Sequence, residues 1–293
     1  MAGGNHCEQP RPLRPNQNRS GGRRVKRLRI LQFSDPHLLA DPGGHCRGRS
    51  PWKLLQLALQ QAWQQLEAAG QRPDQLLITG DLCQDESWGG YVRLRELLAA
   101  SPLADLPPPW LLSGNHAPGL RLRAALGRSA VIAPAEIHCA GWQVLLLDSH
   151  LPGRVEGRLG ASQLAWLERV LQSSDRPLLV ALHHPPLAIG DPMLDAIALA
   201  EGTDLLPMLQ ASGRLRGLVF GHVHQHWQAD SGAGWAPGPA VPLLACPSTL
   251  CAFPAVQPCP LGRPDDPGAR LLELTAAGEI RHRLLRWSPP DSI

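Results

Sequence analysis

Through most of the chain, short apolar runs alternate with segments whose apolar residues recur at helical spacing. The runs predict strands at 29–34, 75–79, 110–112, 144–148, 177–182 and 215–220. The segments between them predict helices at 51–69, 88–100, 161–172 and 203–211. Strands that are apolar throughout and separated by helices indicate a largely parallel sheet covered on both faces.

After Gly221 the pattern changes to strands alone. Strands are predicted at 224–229, 241–245, 270–275 and 280–286, and the proline-rich stretch from Pro254 to Pro267 is predicted to be a long loop. We therefore expect an α/β fold that ends in an antiparallel meander, with a mixed β core between helices.

The net charge of +3 is unevenly distributed over the 293 residues. The first 29 residues carry eight of the basic residues and only one acidic residue, Glu8, so the remainder is slightly acidic. Residues 1–27 are also rich in proline and glycine and poor in apolar residues, which predicts a disordered basic tail. The charge of the body gives no reason to expect a nucleic-acid surface.

Two further features concern the cellular location. No apolar run approaches 18 residues, so no membrane-spanning helix is expected. The seven cysteines are scattered without a Cys-x-x-Cys pair, which favours a reducing, cytoplasmic location over a disulfide framework or a thiolate zinc site.

Residues of metal-ligand type follow five of the predicted strands. They are Asp35-Pro-His37, Gly80-Asp81, Gly114-Asn115-His116, His183-His184 and Gly221-His222-Val-His224. Gly-His-x-His is the strongest single motif, whereas the others are weak alone, since Gly-Asp pairs are common in turns and a single Asp-x-His occurs by chance. Because sites in α/β sheets form at the carboxyl ends of strands, the five segments are predicted to meet in one crevice.

The residue types indicate the chemistry of that crevice. In an extended backbone, Asp-x-His and His-x-His place two ligands on the same side. A mixture of carboxylate, imidazole and amide oxygen suits Fe, Mn or Zn better than Mg or Ca. One carboxylate can bridge two such cations and hold a hydroxide between them.

The motifs and their order along the chain resemble those of the calcineurin-like metallophosphoesterase superfamily. Several segments are similar, more narrowly, to the bacterial class III 3′,5′-cyclic nucleotide phosphodiesterases of the CpdA type, namely 33–38, 147–153, 182–186, 220–225 and 246–249. The resemblance implies a metallophosphatase fold, a four-layer α/β/β/α sandwich of two mixed β-sheets flanked by helices. It assigns 28–287 to this domain and leaves 288–293 as a C-terminal tail.

The resemblance also implies roles for individual residues. One divalent metal ion would be bound by Asp35, His37 and His224, the second by Asn115, His183 and His222, and Asp81 would bridge them. Asn115 and His116 would contact the phosphate, and His116 would stabilise or protonate the leaving oxygen. His226 matches no ligand of the family and is interpreted as a surface or outer histidine. His6, His45, His138, His150 and His282 have no comparable context.

One position departs from the family pattern. An acidic residue usually follows Gly-Asn-His, whereas this chain has Ala117-Pro118. That carboxylate would orient the histidine or favour its protonated form. Without it, the sequence leaves open how His116 is positioned and protonated, and whether another carboxylate takes over this role.

The function implied is hydrolysis of a small phosphodiester through a metal-bridging hydroxide, with conversion of 3′,5′-cyclic AMP to 5′-AMP as the first choice. Glycerophosphodiester hydrolases share much of the motif set, so a glycerophosphodiesterase or a broad phosphodiesterase remains an alternative. A metal-free scaffold with the same fold is the non-enzymatic alternative, and a nuclease is a third. For a nucleotide substrate, Trp52 or Trp88 is a candidate to stack on the base.

Overall fold

The computed structural model describes residues 27–116, 119–231 and 240–290. The predicted tail therefore lies outside the described residues except for Arg27, as do the Ala117-Pro118 departure and the last three residues. No helix among the described residues is both long enough and apolar enough to cross a membrane.

The first of two six-stranded sheets is built around parallel strands from the N-terminal half. It contains β1 (Arg27–Phe33), β2 (Gln75–Ile78), β3 (Trp110–Leu111), β4 (Val131–Ile132), β11 (Gly268–Thr275) and β12 (Ile280–Arg286). The order is β12-β11-β1-β2-β3-β4, with β1 to β4 parallel and β11 antiparallel to both of its neighbours.

The second sheet has a similar plan. It contains β5 (Ala135–Cys139), β6 (Trp142–Leu146), β7 (Leu178–Ala181), β8 (Leu215–Phe220), β9 (Trp227–Asp230) and β10 (Pro242–Ala245), in the order β5-β6-β7-β8-β10-β9. Strands β6, β7, β8 and β10 are parallel, and the edge strands β5 and β9 are antiparallel to their neighbours.

Helices cover the outer face of each sheet. The first sheet carries α1 (Pro51–Ala68), α2 (Trp88–Ala99) and α3 (Gly119–Leu126), and the second carries α4 (Gly160–Gln172), α5 (Pro192–Asp195) and α6 (Gly202–Ala211). Helix α1 begins where Pro51 occupies its first turn, a position at which the missing N–H costs nothing. Its apolar residues fall at helical spacing and are buried against the sheet, at Leu55, Ala58, Leu59, Ala62 and Leu66.

Alternation along β1 shows how three hydrophobic layers arise. Leu31 and Phe33 pack against the helices of the first sheet, while Leu28 and Ile30 pack against the second sheet. Leu179 on β7 and Val219 on β8 lie in the same layer between the sheets. Ile30 and Leu31 lie on opposite faces of β1 and are both buried among apolar side chains, which explains why apolar residues occupy successive positions of the strand. The expected four-layer α/β/β/α sandwich is confirmed.

Buried polar side chains also join the two sheets beneath the site. Gln32 on β1 donates from Nε2 to the carbonyl of Phe220 on β8, at 3.3 Å. Arg270 on β11 donates from Nη2 to the carbonyl of Ala245 on β10, at 2.8 Å. Both side chains are fully buried, so their hydrogen bonds hold the sheets in a fixed relation where leaving them unpaired would be costly.

Two expectations about the fold are wrong. The last strands do not form one meander, because β9 and β10 join the second sheet whereas β11 and β12 join the first. The strand predicted at 224–229 begins only at Trp227, since His222 and His224 lie in a turn. The sequence patterns also failed to predict α3, β4, β5 and α5, all of them short or weakly apolar.

Candidate functional site

The five predicted segments meet across the carboxyl ends of both sheets. Asp35, Asp81 and Asn115 follow β1, β2 and β3 of the first sheet, and His183 and His222 follow β7 and β8 of the second. The expected crevice is therefore formed by two sheets facing each other rather than by one.

Backbone hydrogen bonds tie the neighbouring turns together. The amide of Asp35 donates to the carbonyl of Gly80 at 3.1 Å, and the amide of His37 donates to the carbonyl of Asp81 at 2.9 Å. The amide of Asp81 in turn donates to the carbonyl of Ser113 at 3.2 Å, and His222 donates from its amide to the Asp35 carboxylate. These bonds preorganise the side chains, because each turn limits the movement of the next.

The backbone at these motifs is not extended. Asp35 and His37 have φ of 51° and 47°, Asp81 has 47°, and His222 and His224 have 68° and 55°. The predicted alternation of an extended chain is therefore wrong as the reason why paired residues face the same side. Asp, Asn and His adopt left-handed φ more readily than most residues, and such strain is typical of functional sites.

The first group of side chains comprises Asp35, His37, Asp81 and His224. All four are buried, and one ligand atom from each lies within 4.8 Å of the others. Nε2 of His37 is 3.0 Å from Nε2 of His224, which is 3.4 Å from Oδ1 of Asp35. Two imidazole nitrogens that face each other at this distance need a proton or a cation between them.

The second group lies on the other side of Asp81. Oδ1 of Asn115 is 3.2 Å from Nε2 of His183 and 3.2 Å from Nδ1 of His222, and these two nitrogens are 3.3 Å apart. Asp81 faces both groups, with Oδ2 at 3.7 Å from Nε2 of His37 and Oδ1 at 3.5 Å from Nε2 of His183.

Backbone carbonyls orient two of the imidazole rings. Nδ1 of His183 donates to the carbonyl of Thr79 at 2.7 Å, and Nδ1 of His224 donates to the carbonyl of Cys251 at 3.0 Å. Each bond places the proton on Nδ1 and directs the lone pair of Nε2 into the site. Backbone carbonyls orient metal-binding histidines in this way. The donor set of carboxylate, imidazole and amide oxygen therefore fits two divalent cations of the Fe, Mn or Zn type.

The charges of the first group also favour a cation. Burial raises the pKa of Asp35 and of Asp81, but the neighbouring histidines lower it by more. The pKa of each carboxyl group therefore lies below its usual range. Burial lowers the pKa of His37 to about 4 despite Asp81. For His224, burial is outweighed by Asp35, which raises the pKa to about 10. Two ionised carboxylates are thus buried together, and the raised pKa of His224 shows that they attract positive charge to this group.

Close packing at the glycines explains their presence. A Cβ on Gly80 would overlap the imidazole of His183, and a Cβ on Gly221 would overlap the hydroxyl of Ser34. Only glycine, which has no Cβ, fits at these two turns.

His184 lies within reach of His183 and His222 but has its own partners. Its Nδ1 is 2.8 Å from the hydroxyl of Ser149, and its Nε2 is 3.0 Å from the carbonyl of Val155. Both ring nitrogens are used, and burial lowers the pKa of His184 to about 3. His184 therefore fastens the 149–155 segment to the site, while the adjacent His183 offers a free nitrogen to it.

His116 stands at the edge of the first group. Its backbone amide donates to Oδ1 of Asp81 at 3.0 Å, and its ring centroid is 5.5 Å from that of His37. Among the described residues, the side chain closest to its Nδ1 within hydrogen-bonding range is that of Gln84, with Nε2 at 3.5 Å. A neutral amide thus faces Nδ1 of His116, where the sequence left open a rescuing carboxylate.

Replacing Gln84 with glutamate is expected to move the alkaline limb of the kcat profile to higher pH. The new carboxylate would favour the protonated imidazole of His116, so an acid at this position stays active further into the alkaline range. The measurement is kcat between pH 5 and 10 for the wild type and Q84E. Gln64→Glu adds the same charge on the exposed face of α1 and is the control. An identical profile in Q84E and the wild type would contradict a functional contact between Gln84 and His116.

Of the two positions expected for His226, at the surface or outside the ligands, the surface position is wrong. Its side chain is buried, and its Nδ1 accepts a hydrogen bond from Nη2 of Arg270 at 3.3 Å. Burial, together with the charge of Arg270, lowers the pKa of His226 to about 4. His226 therefore supports the buried Arg270 between the sheets and lies behind the site.

A lateral cavity of about 470 Å³ opens beside Asn115 and His116. It is also lined by His150, Arg154, Val155 and Leu120. His150 was overlooked in the sequence, although Asp148-Ser149-His150 follows β6 just as the other motifs follow their strands; its Nδ1 is 3.0 Å from the carbonyl of Gly114. Neither Trp52 nor Trp88 lines this cavity, and Trp52 packs against the core.

Known proteins are similar to this chain in sequence and in fold. Residues 28–226 match the calcineurin-like phosphoesterase family. A protein of Synechococcus sp. strain WH7803, named "Probable cyclic nucleotide phosphodiesterase", is 45% identical over 266 residues, covering 89% of this chain and 97% of that protein. The 3′,5′-cyclic adenosine monophosphate phosphodiesterase CpdA of Escherichia coli K12 is 36% identical over 267 residues, covering 88% of this chain and 90% of that protein. The chain belongs to the calcineurin-like phosphoesterase family.

A solved structure agrees with this assignment at the level of the fold. The dimetal phosphatase from Danio rerio superposes with a TM-score of 0.59 at 13% sequence identity, over 89% of this chain and 99% of that one. The two-sheet sandwich, with its site at the carboxyl ends of the strands, is thus a metallophosphatase fold, and its two buried groups of histidines and carboxylates are suited to two metal ions.

Proposed function

We propose that this protein is a dinuclear metal-dependent phosphodiesterase that hydrolyses 3′,5′-cyclic AMP to 5′-AMP. The main support is the position of Asp81. Its Oδ2 lies 3.7 Å from Nε2 of His37, and its Oδ1 lies 3.5 Å from Nε2 of His183. A single carboxylate between two groups of ligands is the arrangement of two-metal hydrolytic sites. The ligands of one cation are Asp35, His37 and His224, those of the other are Asn115, His183 and His222, and Asp81 serves both.

Two divalent cations in such a site supply positive charge to the phosphate and acidify water. The protein's own groups define where the phosphate lies. Asn115 and His116 follow each other after β3 and both line the lateral cavity, so the scissile phosphate is expected at its inner end. His116 lines that cavity and is placed to protonate the leaving oxygen, while the hydrogen bond that its backbone amide donates to Oδ1 of Asp81 holds its backbone.

The substrate follows from two observations. The relatives that cover most of this chain carry names that specify cyclic nucleotides or cyclic AMP. The cavity beside the site is also large enough for a nucleoside, since ligand pockets begin at roughly 300 Å³.

The prediction of a reducing, cytoplasmic location stays a prediction; the six described cysteines are free, as thiols are in such a compartment.

The test is hydrolysis of 3′,5′-cyclic AMP by purified protein reconstituted with Mn²⁺ or Fe²⁺, beside Asn115→Ala. We expect metal-dependent formation of 5′-AMP that is lost in the variant, because Asn115 contacts both histidines of its group. If bis(p-nitrophenyl) phosphate is hydrolysed but cyclic AMP is not, the substrate is wrong and glycerophosphodiesters are tested next. If neither substrate is hydrolysed by metal-loaded protein, the enzymatic proposal is wrong.

A further inference from the structure

Two walls of the lateral cavity are apolar side chains that the fold leaves in solvent. Leu120 is 85% exposed and Val155 is 51% exposed, and both line the same cavity as Asn115 and His116. Covering large apolar side chains lowers the free energy of the complex, so two of them in the lining of one cavity indicate an apolar ligand surface.

The Val155 wall is fixed to the metal site itself. The carbonyl of Val155 accepts a hydrogen bond from Nε2 of His184, the neighbour of His183. Gly157 lies so close to His184 that a Cβ there would overlap the imidazole ring. This segment is therefore fixed against His184, next to the proposed ligand His183.

The Leu120 wall is also held in place. Arg121, the next residue on α3, donates from Nη1 to the carbonyl of Glu86 at 2.9 Å. Glu86 belongs to the turn that follows Asp81 and lines the same cavity. Both apolar walls are thus connected through hydrogen bonds to segments that carry site residues.

We propose that Leu120 and Val155 contact the nucleobase, and so form the subsite that selects nucleotides over phosphodiesters without a base. This inference rests on the proposed phosphodiesterase function. A nucleobase has two flat apolar faces and a polar edge, which matches two apolar walls together with Glu86 and Arg154 at the same cavity. A glycerol group has no such faces and would leave most of the 470 Å³ unfilled.

The test compares two ligands that differ only in the base. Dissociation constants of 5′-AMP and ribose 5-phosphate are measured by calorimetry on Mn²⁺-loaded protein, which requires no turnover. We expect the wild type to bind 5′-AMP about tenfold more tightly than ribose 5-phosphate, from the apolar area covered by the base. Leu120→Ala and Val155→Ala should each reduce that ratio by roughly threefold or more while leaving the affinity for ribose 5-phosphate unchanged.

Met193→Ala is the matched control, since Met193 is 82% exposed and does not line the cavity. A ratio near one in the wild type, or a ratio that neither variant lowers, would overturn the subsite. Failure of the proposed reaction has a different signature. In that case 5′-AMP still binds more tightly than ribose 5-phosphate, but cyclic AMP is not hydrolysed.

Discussion

Replacing Asp81 with asparagine is expected to lower kcat/KM for phosphodiester hydrolysis by about 10³-fold, because one side chain serves both cations. Asparagine keeps the size of the side chain and tolerates the φ of 47° at this position. It replaces one carboxylate oxygen by an NH₂ group, which cannot bind a cation. The remaining oxygen can face only one of the two groups that now lie 3.5 and 3.7 Å from Asp81.

The measurement combines steady-state kinetics with metal analysis of the reconstituted protein. D81N should retain fewer metal ions per chain than the wild type, and excess Mn²⁺ should restore only part of the activity. Asp105→Asn removes a carboxylate from an exposed position and is the control for the loss of charge. Thermal unfolding of both variants shows whether the fold is kept. A D81N protein with full metal content and wild-type kcat/KM would contradict the assignment of Asp81 to both cations.

Replacing His116 with glutamine is expected to lower kcat for cyclic AMP by about 10²-fold while metal content stays at the wild-type level. His116 is not among the seven side chains assigned to the cations, and the hydrogen bond to Asp81 comes from its backbone amide, which glutamine retains. The loss should therefore fall on proton transfer to the leaving oxygen.

The nature of the leaving group separates this role from a structural one. A nitrophenolate leaves as a stable anion and needs little protonation, so H116Q should lose much less activity on bis(p-nitrophenyl) phosphate than on cyclic AMP. His138→Gln, on the exposed strand β5, is the matched control. Equal losses on both substrates, or loss of bound metal, would show that His116 acts by holding the site together.

The strands that carry the site were predictable because their signal is local. Residues 29–34, 75–79, 177–182 and 215–220 each contain consecutive apolar residues, and each proved to be a strand to within two residues at either end. The motifs that follow them could be found for the same reason, since each lies directly after such a run. The assignment of individual ligands remains a prediction, although the structure brings all seven proposed ligands together.

Pairing between distant strands was not predictable. Ile30 lies opposite Leu272, and no periodicity in either segment indicates that β11 inserts beside β1 rather than continuing from β10. Both neighbours would bury the same apolar side chains, so the choice depends on loop lengths and on packing of the whole molecule. The predicted meander failed at this point.

The sequence by itself determined the class of chemistry, because carboxylate, imidazole and amide ligands and their order along the chain need no coordinates to be recognised. The tertiary structure alone decided which neighbours act together. It joined Gln84 to His116 and His184 to Val155, and it placed Leu120 and Val155 on one cavity. The reason is physical: a ligand type is a property of one residue, whereas hydrogen-bond partners and cavity walls depend on distances between segments that only the packed sheets bring together.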